Sequence, residues 1–166
     1  MIYIMCGPPG AGKSTWAYNF QFLSEDGYLI HIPRDEIRKQ LVKEDEPLFS
    51  KEPEVFDKFC DEIVDTIYHQ CDPIIDASHV TYASRTKLLN ELDKRLKEPD
   101  GTGGLKYEDY IFVVMNTPYE ECVRRDEKRT GREHVGADNI WDYYKVFTIP
   151  KKEDYPGCKG VWIINE

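Results

Sequence analysis

The chain begins MIYIMCGPPGAGKSTW. A short apolar run, residues 2–6, meets a glycine-rich stretch, and a lysine and two hydroxyls follow at once. Gly7-x-x-x-x-Gly12-Lys13-Ser14 is the P-loop pattern. No other feature constrains the fold as much, because such a loop needs a strand before it and a helix after it. Gly7, Gly10 and Gly12 allow backbone turns closed to bulkier residues and a close approach to phosphate. Amide groups of the loop, that of Ala11 among them, line an anion-sized nest that the helix N-terminus continues. Lys13 supplies a point charge for the β- and γ-phosphates, Ser14 a hydroxyl for Mg²⁺, and Thr15 a contact to an inner phosphate. An ordinary glycine turn would lack the strand before it and the helix after it.

The rest of the chain alternates short apolar runs with longer amphipathic ones. Strands are expected at 2–6, 28–32, 73–77, 110–116 and 160–165, the fourth β-branched and aromatic almost throughout. Helices are expected at 14–24, 34–43, 53–70, 82–97, from Thr117 as cap to about Arg129, and at 138–147. Trp16, Ala17, Phe20 and Leu23 are spaced for one face of the first helix. Val55, Phe56, Phe59, Ile63 and Ile67 form the stripe of the third, and Leu88, Leu89, Leu92 and Leu96 that of the fourth. Strands apolar on both faces and separated by helices imply a parallel sheet covered on each side. The expected fold is therefore α/β and three-layered, with about five parallel strands, in one domain over 1–166.

Composition narrows the function. Apolar residues at 40% and charged residues at 32% are ordinary for a globular chain. With 31 acidic and 22 basic side chains the formal net charge is −9, so any nucleic-acid contact must rely on a local basic patch. The cysteines, Cys6, Cys60, Cys71, Cys122 and Cys158, are odd in number and make no C-x-x-C pair. They are expected to be reduced and buried, as in a cytoplasmic protein. No run is long enough to span a membrane, and the opening residues do not read as a signal peptide.

In parallel α/β sheets ligands sit beyond the carboxyl ends of the strands. Asp35, in HIPRDEIRKQL, and Asp76, in PIIDASH, fall there. Two roles are open to Asp35: accepting the proton of an attacking hydroxyl, or satisfying free amides at a helix start. Arg38, one turn on, either pairs with Asp35 or grips an acceptor phosphate. Asp76 reads as a Walker-B-like acid turned toward Mg²⁺ through a bridging water, or as a turn residue. The segment CVRRDEKRTGREH (122–134) carries Arg124, Arg125, Lys128, Arg129 and Arg132. It reads as a lid, about 125–137, closing arginines on a triphosphate, against the plainer reading of a solvated helix end. His31, His69, His79 and His134 make no metal pair at helical spacing and are assigned no chemistry.

The combination of GPPGAGKSTW, Arg34-Asp35-x-x-Arg38, the strand-end DAS followed by Arg85, and RRDEKR resembles the P-loop kinases of the phage polynucleotide 5′-kinase and zeta-toxin-like type. The resemblance implies ATP and Mg²⁺ as cofactors, held by Lys13 and Ser14. It implies Asp35 as general base, Arg38 on an acceptor-side phosphate, and Asp76 as the acid of the metal site. Arg129 would be the lid arginine on the transferred phosphate, and Arg125 would also meet the nucleotide. This chain departs from the family at Pro33 and Ser78-His79. Its stretch 44–62 also carries eight acidic residues against two lysines, which would repel a long polyanion. The expected activity is ATP-dependent transfer of the γ-phosphate to a hydroxyl, with the 5′ end of DNA or RNA as first candidate acceptor. A nucleoside, nucleotide-sugar or polyol comes second, and an ATPase or switch without an acceptor is the rival.

Overall fold

The structure, a computed structural model, describes residues 1–24, 27–107 and 109–165. Five strands, β1 (Ile2–Cys6), β2 (Leu29–Pro33), β3 (Asp72–Asp76), β4 (Tyr110–Asn116) and β5 (Cys158–Asn165), form one sheet in the order β2-β3-β1-β4-β5. Every pairing is parallel. The helices are α1 (Lys13–Phe22), α2 (Arg34–Leu41), α3 (Glu52–Tyr68), α4 (Tyr82–Leu96), α5 (Tyr119–Asp126) and α6 (Ala137–Val146). The expected three-layer α/β fold with a five-stranded parallel sheet is the observed one.

The strands alternate between two cores. Ile2, Ile4 and Cys6 of β1, with Ile75, Phe112 and Val114, face Ile37, Phe59, Ile63, Leu88 and Leu92 of α2, α3 and α4. Met5, Ile74, Val113 and Met115 face Ala17, Cys122 and Ile140 of α1, α5 and α6. Each large side chain so buried contributes about 1.5–3 kcal/mol. That term, repeated on both faces, fixes the register, since a slip of one residue would exchange the two cores.

Several boundaries move. Leu23 is largely exposed, at 76%, because α1 ends at Phe22 and Leu23 lies past its last turn. Pro118, not Thr117, caps α5, since the Thr117 hydroxyl is drawn away to donate to Ala11 O, 2.9 Å. That helix stops at Asp126, short of Arg129. Cys71 is half-buried and the other four cysteines are buried, all as free thiols. Among the described residues no helix is long and apolar enough to cross a membrane.

Candidate phosphate-binding and acceptor site

The carboxyl ends of β1, β2 and β3 converge on one edge of the sheet. The P-loop leaves central β1, and Gly7 N–H donates to Ser78 O, 2.9 Å, tying the loop to the segment after β3. Gly10 and Gly12 have φ of 79° and 91°, the left-handed region that disfavours residues with a Cβ. At Gly10 space is also short: a Cβ there would lie 2.5 Å from Cys122 O. Ala11 is fully buried and its carbonyl takes the Thr117 hydroxyl. The Tyr144 hydroxyl in turn donates to Thr117 O. The loop is thereby braced from α5 and α6, while Ser14 and Thr15 stay exposed in the first turn of α1.

Lys13 Nζ donates to Pro8 O, 2.8 Å, inside the loop. Burial of the ammonium pulls its pKa below the usual lysine value, against the charges of Asp76 and Asp35, which raise it. Arg129 lowers it further. Four expected site residues, Lys13, Asp35, Asp76 and Arg129, thus share one electrostatic neighbourhood.

Asp76, the last residue of β3, is buried. His31 Nε2–H donates to its Oδ2, 2.9 Å, and the Ser14 hydroxyl bonds to it. Burial pushes the Asp76 carboxyl up. The His31 hydrogen bond, the Lys13 charge and the Ser14 hydroxyl outweigh that, and it stays below the ordinary carboxylate value. Ser14 and Asp76 therefore stand together as hard oxygen donors of the kind Mg²⁺ takes. Among the described residues no group of three or more His, Cys, Asp or Glu could hold a metal by itself. A Mg²⁺ ion here would need nucleotide phosphates and water to complete its shell, which is how this ion is usually bound.

Asp35 starts α2 with its side chain 83% exposed. Arg38, itself buried, contacts Asp35 through Nη1. Its Nε and Nη2 donate to the Glu52 carboxylate at 2.6 and 3.2 Å. Arg34 Nη2 donates to the same carboxylate, 2.9 Å. Arg38 also lies against the Phe49 ring, 5.0 Å to its centroid.

Arg125 spans α5 and the P-loop. Its Nε donates to Glu121 Oε1, 2.7 Å, and its Nη1 to Gly10 O, 3.4 Å. Arg129, two-fifths exposed, lies 3.8 Å from Asp126. Asp126 is buried at the end of α5, and its carboxylate accepts the Val135 and Gly136 amides at 2.8–3.1 Å. His134 Nδ1 lies 3.1 Å from it. The tip between these points crosses to the segment after α2. Arg132 donates to Lys43 O and Glu46 O at 3.0 and 2.6 Å, and also to Glu44 O. Lys39 Nζ pairs with Glu133, 2.7 Å.

Three residues of this site were not expected from the sequence: His31 on Asp76, Glu52 on Arg38, and Asp126 on the Val135 and Gly136 amides. His31 pairs with Ile74 in the β2–β3 register, so its side chain stands on the same face as that of Asp76. That face is visible in the sequence only once the two strands are known to be neighbours. Arg85, by contrast, supports the phosphate loop from behind, hydrogen-bonded to the Cys6 thiol at the end of β1. It is buried and donates to Tyr155 Oη, His79 O, Thr148 O and Thr148 Oγ1 at 2.7–2.9 Å, a tether between α4 and the chain after α6.

Among solved structures, a chain of the Pnkp1/Rnl/Hen1 RNA repair complex is 24% identical, with TM-score 0.67. The match covers 87% of this chain and 42% of that one. A fungal RNA kinase is 14% identical, with TM-score 0.65, over 98% of this chain and 37% of that one. A sugar kinase from Janibacter sp. is 15% identical, with TM-score 0.63, over 99% and 84%. This chain therefore spans about two fifths of the length of the RNA repair chain. These likenesses are of fold. No curated protein matches the chain. The family described as AAA domain matches residues 2–150, and with its phosphate loop on the central strand of a parallel sheet the chain belongs to that family of P-loop proteins.

Proposed function

We propose that the protein is an ATP-dependent phosphotransferase that hands the γ-phosphate to a hydroxyl acceptor. The observation that carries this reading is Asp35. Its carboxylate is exposed at the carboxyl end of β2, acts electrostatically on Lys13, and is oriented by Arg38. A nucleotide switch or plain ATPase needs no such second carboxylate facing outward. In this reading the P-loop amides, Lys13, Thr15 and Arg125 hold the triphosphate. Ser14 and, through water, Asp76 hold Mg²⁺, which shields the phosphate oxygens. Asp35 accepts the proton of the attacking hydroxyl, and Arg129 swings from Asp126 to the transferred phosphate. Arg38 lines the acceptor side.

Two acceptor classes come into question. The likeness to a fungal RNA kinase and to a chain of an RNA repair complex supports a polynucleotide 5′-hydroxyl. The likeness to a sugar kinase that this chain spans almost fully supports a small polyol, sugar or nucleoside. The test is incubation with γ-labelled ATP, Mg²⁺ and a panel of both. Label in an acceptor, lost about 10²–10⁴-fold in Asp35→Ala at intact fold, is the expected result. Label only in inorganic phosphate would leave an ATPase.

A further inference from the structure

The resemblance to polynucleotide kinases assigns Arg38 to an acceptor phosphate, yet in this chain its charge is already committed. Glu52 takes Nε and Nη2 and Asp35 takes Nη1. Phe49 covers the guanidinium, 5.0 Å from ring centroid to Cζ. Arg34 donates to the same Glu52 carboxylate and rests against Phe56 and Phe59 at 5.5 and 5.9 Å. Two guanidiniums thus meet two carboxylates and their charges cancel; the exposed Lys87 ammonium, 4.5 Å from the centroid of the Phe56 ring, stands outside that set. Glu52 is firmly ionised: burial raises its carboxyl pKa, but Arg38 and Arg34 outweigh burial and lower it.

An acceptor phosphate at Arg38 would have to break two charge-assisted bonds to Glu52. It would then stand beside the carboxylate it displaced, a like-charge contact in a half-buried place. A neutral acceptor meets neither cost. It needs only its hydroxyl within reach of Asp35, which Arg38 holds in place.

We propose that Glu52 makes the acceptor site select uncharged hydroxyl compounds, nucleosides or neutral sugars, over acceptors with a phosphate next to the reacting sugar hydroxyl. Arg38 then acts as a positioning residue for Asp35 and not as a phosphate clamp. This rests on the phosphotransferase reading above and narrows its acceptor to the small neutral class.

The test compares kcat/KM for thymidine, thymidine 3′-monophosphate, a short 5′-hydroxyl oligonucleotide and a neutral sugar, in the wild type and in Glu52→Gln. The wild type is expected to prefer a neutral acceptor over its phosphorylated counterpart by about tenfold or more, mainly through KM. Glu52→Gln frees Arg38 and is expected to move that ratio toward the phosphorylated acceptor by about ten- to a hundredfold. Calorimetric binding of thymidine and of its 3′-monophosphate to the wild type with ADP and Mg²⁺ gives the same comparison without any variant, with thymidine expected to bind more tightly. Transfer that favours the 3′-monophosphate or the oligonucleotide in the wild type overturns this inference alone. So does a ratio unmoved by Glu52→Gln in a folded protein. Label appearing only in inorganic phosphate with every acceptor overturns the phosphotransferase reading, and this inference with it.

Discussion

Replacing Gly10 by alanine separates two ways in which the phosphate loop depends on glycine. The first is conformational: at φ 79° an alanine costs about 1–2 kcal/mol. The second is steric. The new Cβ would lie 2.5 Å from Cys122 O and 3.1 Å from Cys122 C and Cα, which are backbone atoms of α5 and cannot rotate aside. Forcing such a contact open costs about 1–3 kcal/mol more. Gly10→Ala should therefore lose about 2–5 kcal/mol, or about 4–20 °C in melting temperature for a chain of this size. Gly101→Ala is the control. Its φ is 82° and nothing lies within 4 Å of its added Cβ, so it bears only the first cost, about 1–2 kcal/mol. Thermal melts of the two variants, followed by calorimetric titration with ATP and Mg²⁺, give both readouts. Gly10→Ala should also bind nucleotide at least about tenfold more weakly, because pushing α5 back displaces Arg125 from Gly10 O. Equal melting losses in the two variants, with nucleotide affinity unchanged in Gly10→Ala, would refute the reasoning.

Other parts of the molecule answer to simpler perturbations. Burial, partly opposed by the hydrogen bond that His79 Nδ1–H donates to Met5 O, pushes His79 down from 6.5 to about 4. The folded state then resists protonation that the unfolded chain accepts, so stability is complete above pH 6.5 and lost as pH falls toward 4. The loss reaches about 3 kcal/mol, and denaturant melts across that range should show a slope that His79→Asn removes. Arg85→Met leaves the Tyr155 hydroxyl and three oxygens without their donor. It should cost about 2–4 kcal/mol in a denaturant melt. Asp126→Asn sets an amide group against the Val135 and Gly136 N–H groups. It should cost about 1–3 kcal/mol and speed hydrogen exchange at 134–136 before it affects the sheet.

The five strands and six helices were legible in the sequence because each is written in a local pattern. β4 is apolar at every position from Tyr110 to Met115, and Leu88, Leu89, Leu92 and Leu96 repeat at helical spacing. Both cores follow from that alternation. The phosphate loop was legible for the same reason, since its residues are contiguous. Pairings at long range were not. His31 meets Asp76 across 45 positions and Glu52 meets Arg38 across 14, and no short pattern records either. Glu52 was one of eight acids in a stretch whose sum suggested repulsion of polyanions. The structure instead spends this one on two arginines, and pairs Asp57 and Asp61 with Arg95. Asp126 was one charge among many in a basic run, and nothing local signals that a helix end would bury it. Even the Thr117 cap failed for a distant reason, because its hydroxyl braces a loop over a hundred residues earlier.

The sheet order also sets when the nucleotide site can exist during synthesis. β1 precedes both strands it pairs with: Tyr3 meets Ile74 on one side and Ile111 on the other. Neither neighbour has been translated when the P-loop leaves the ribosome, and the hydroxyl that braces Ala11 comes later still, at Thr117. Pairings so far apart in sequence close slowly, and the incomplete chain exposes the unpaired sides of β1 meanwhile. Nucleotide cannot act as a template for the early chain, because the brace of its cradle is complete only once Thr117 has been made. A bound nucleotide stabilises the finished fold by mass action, but it cannot shield β1 before β3 and β4 have been made.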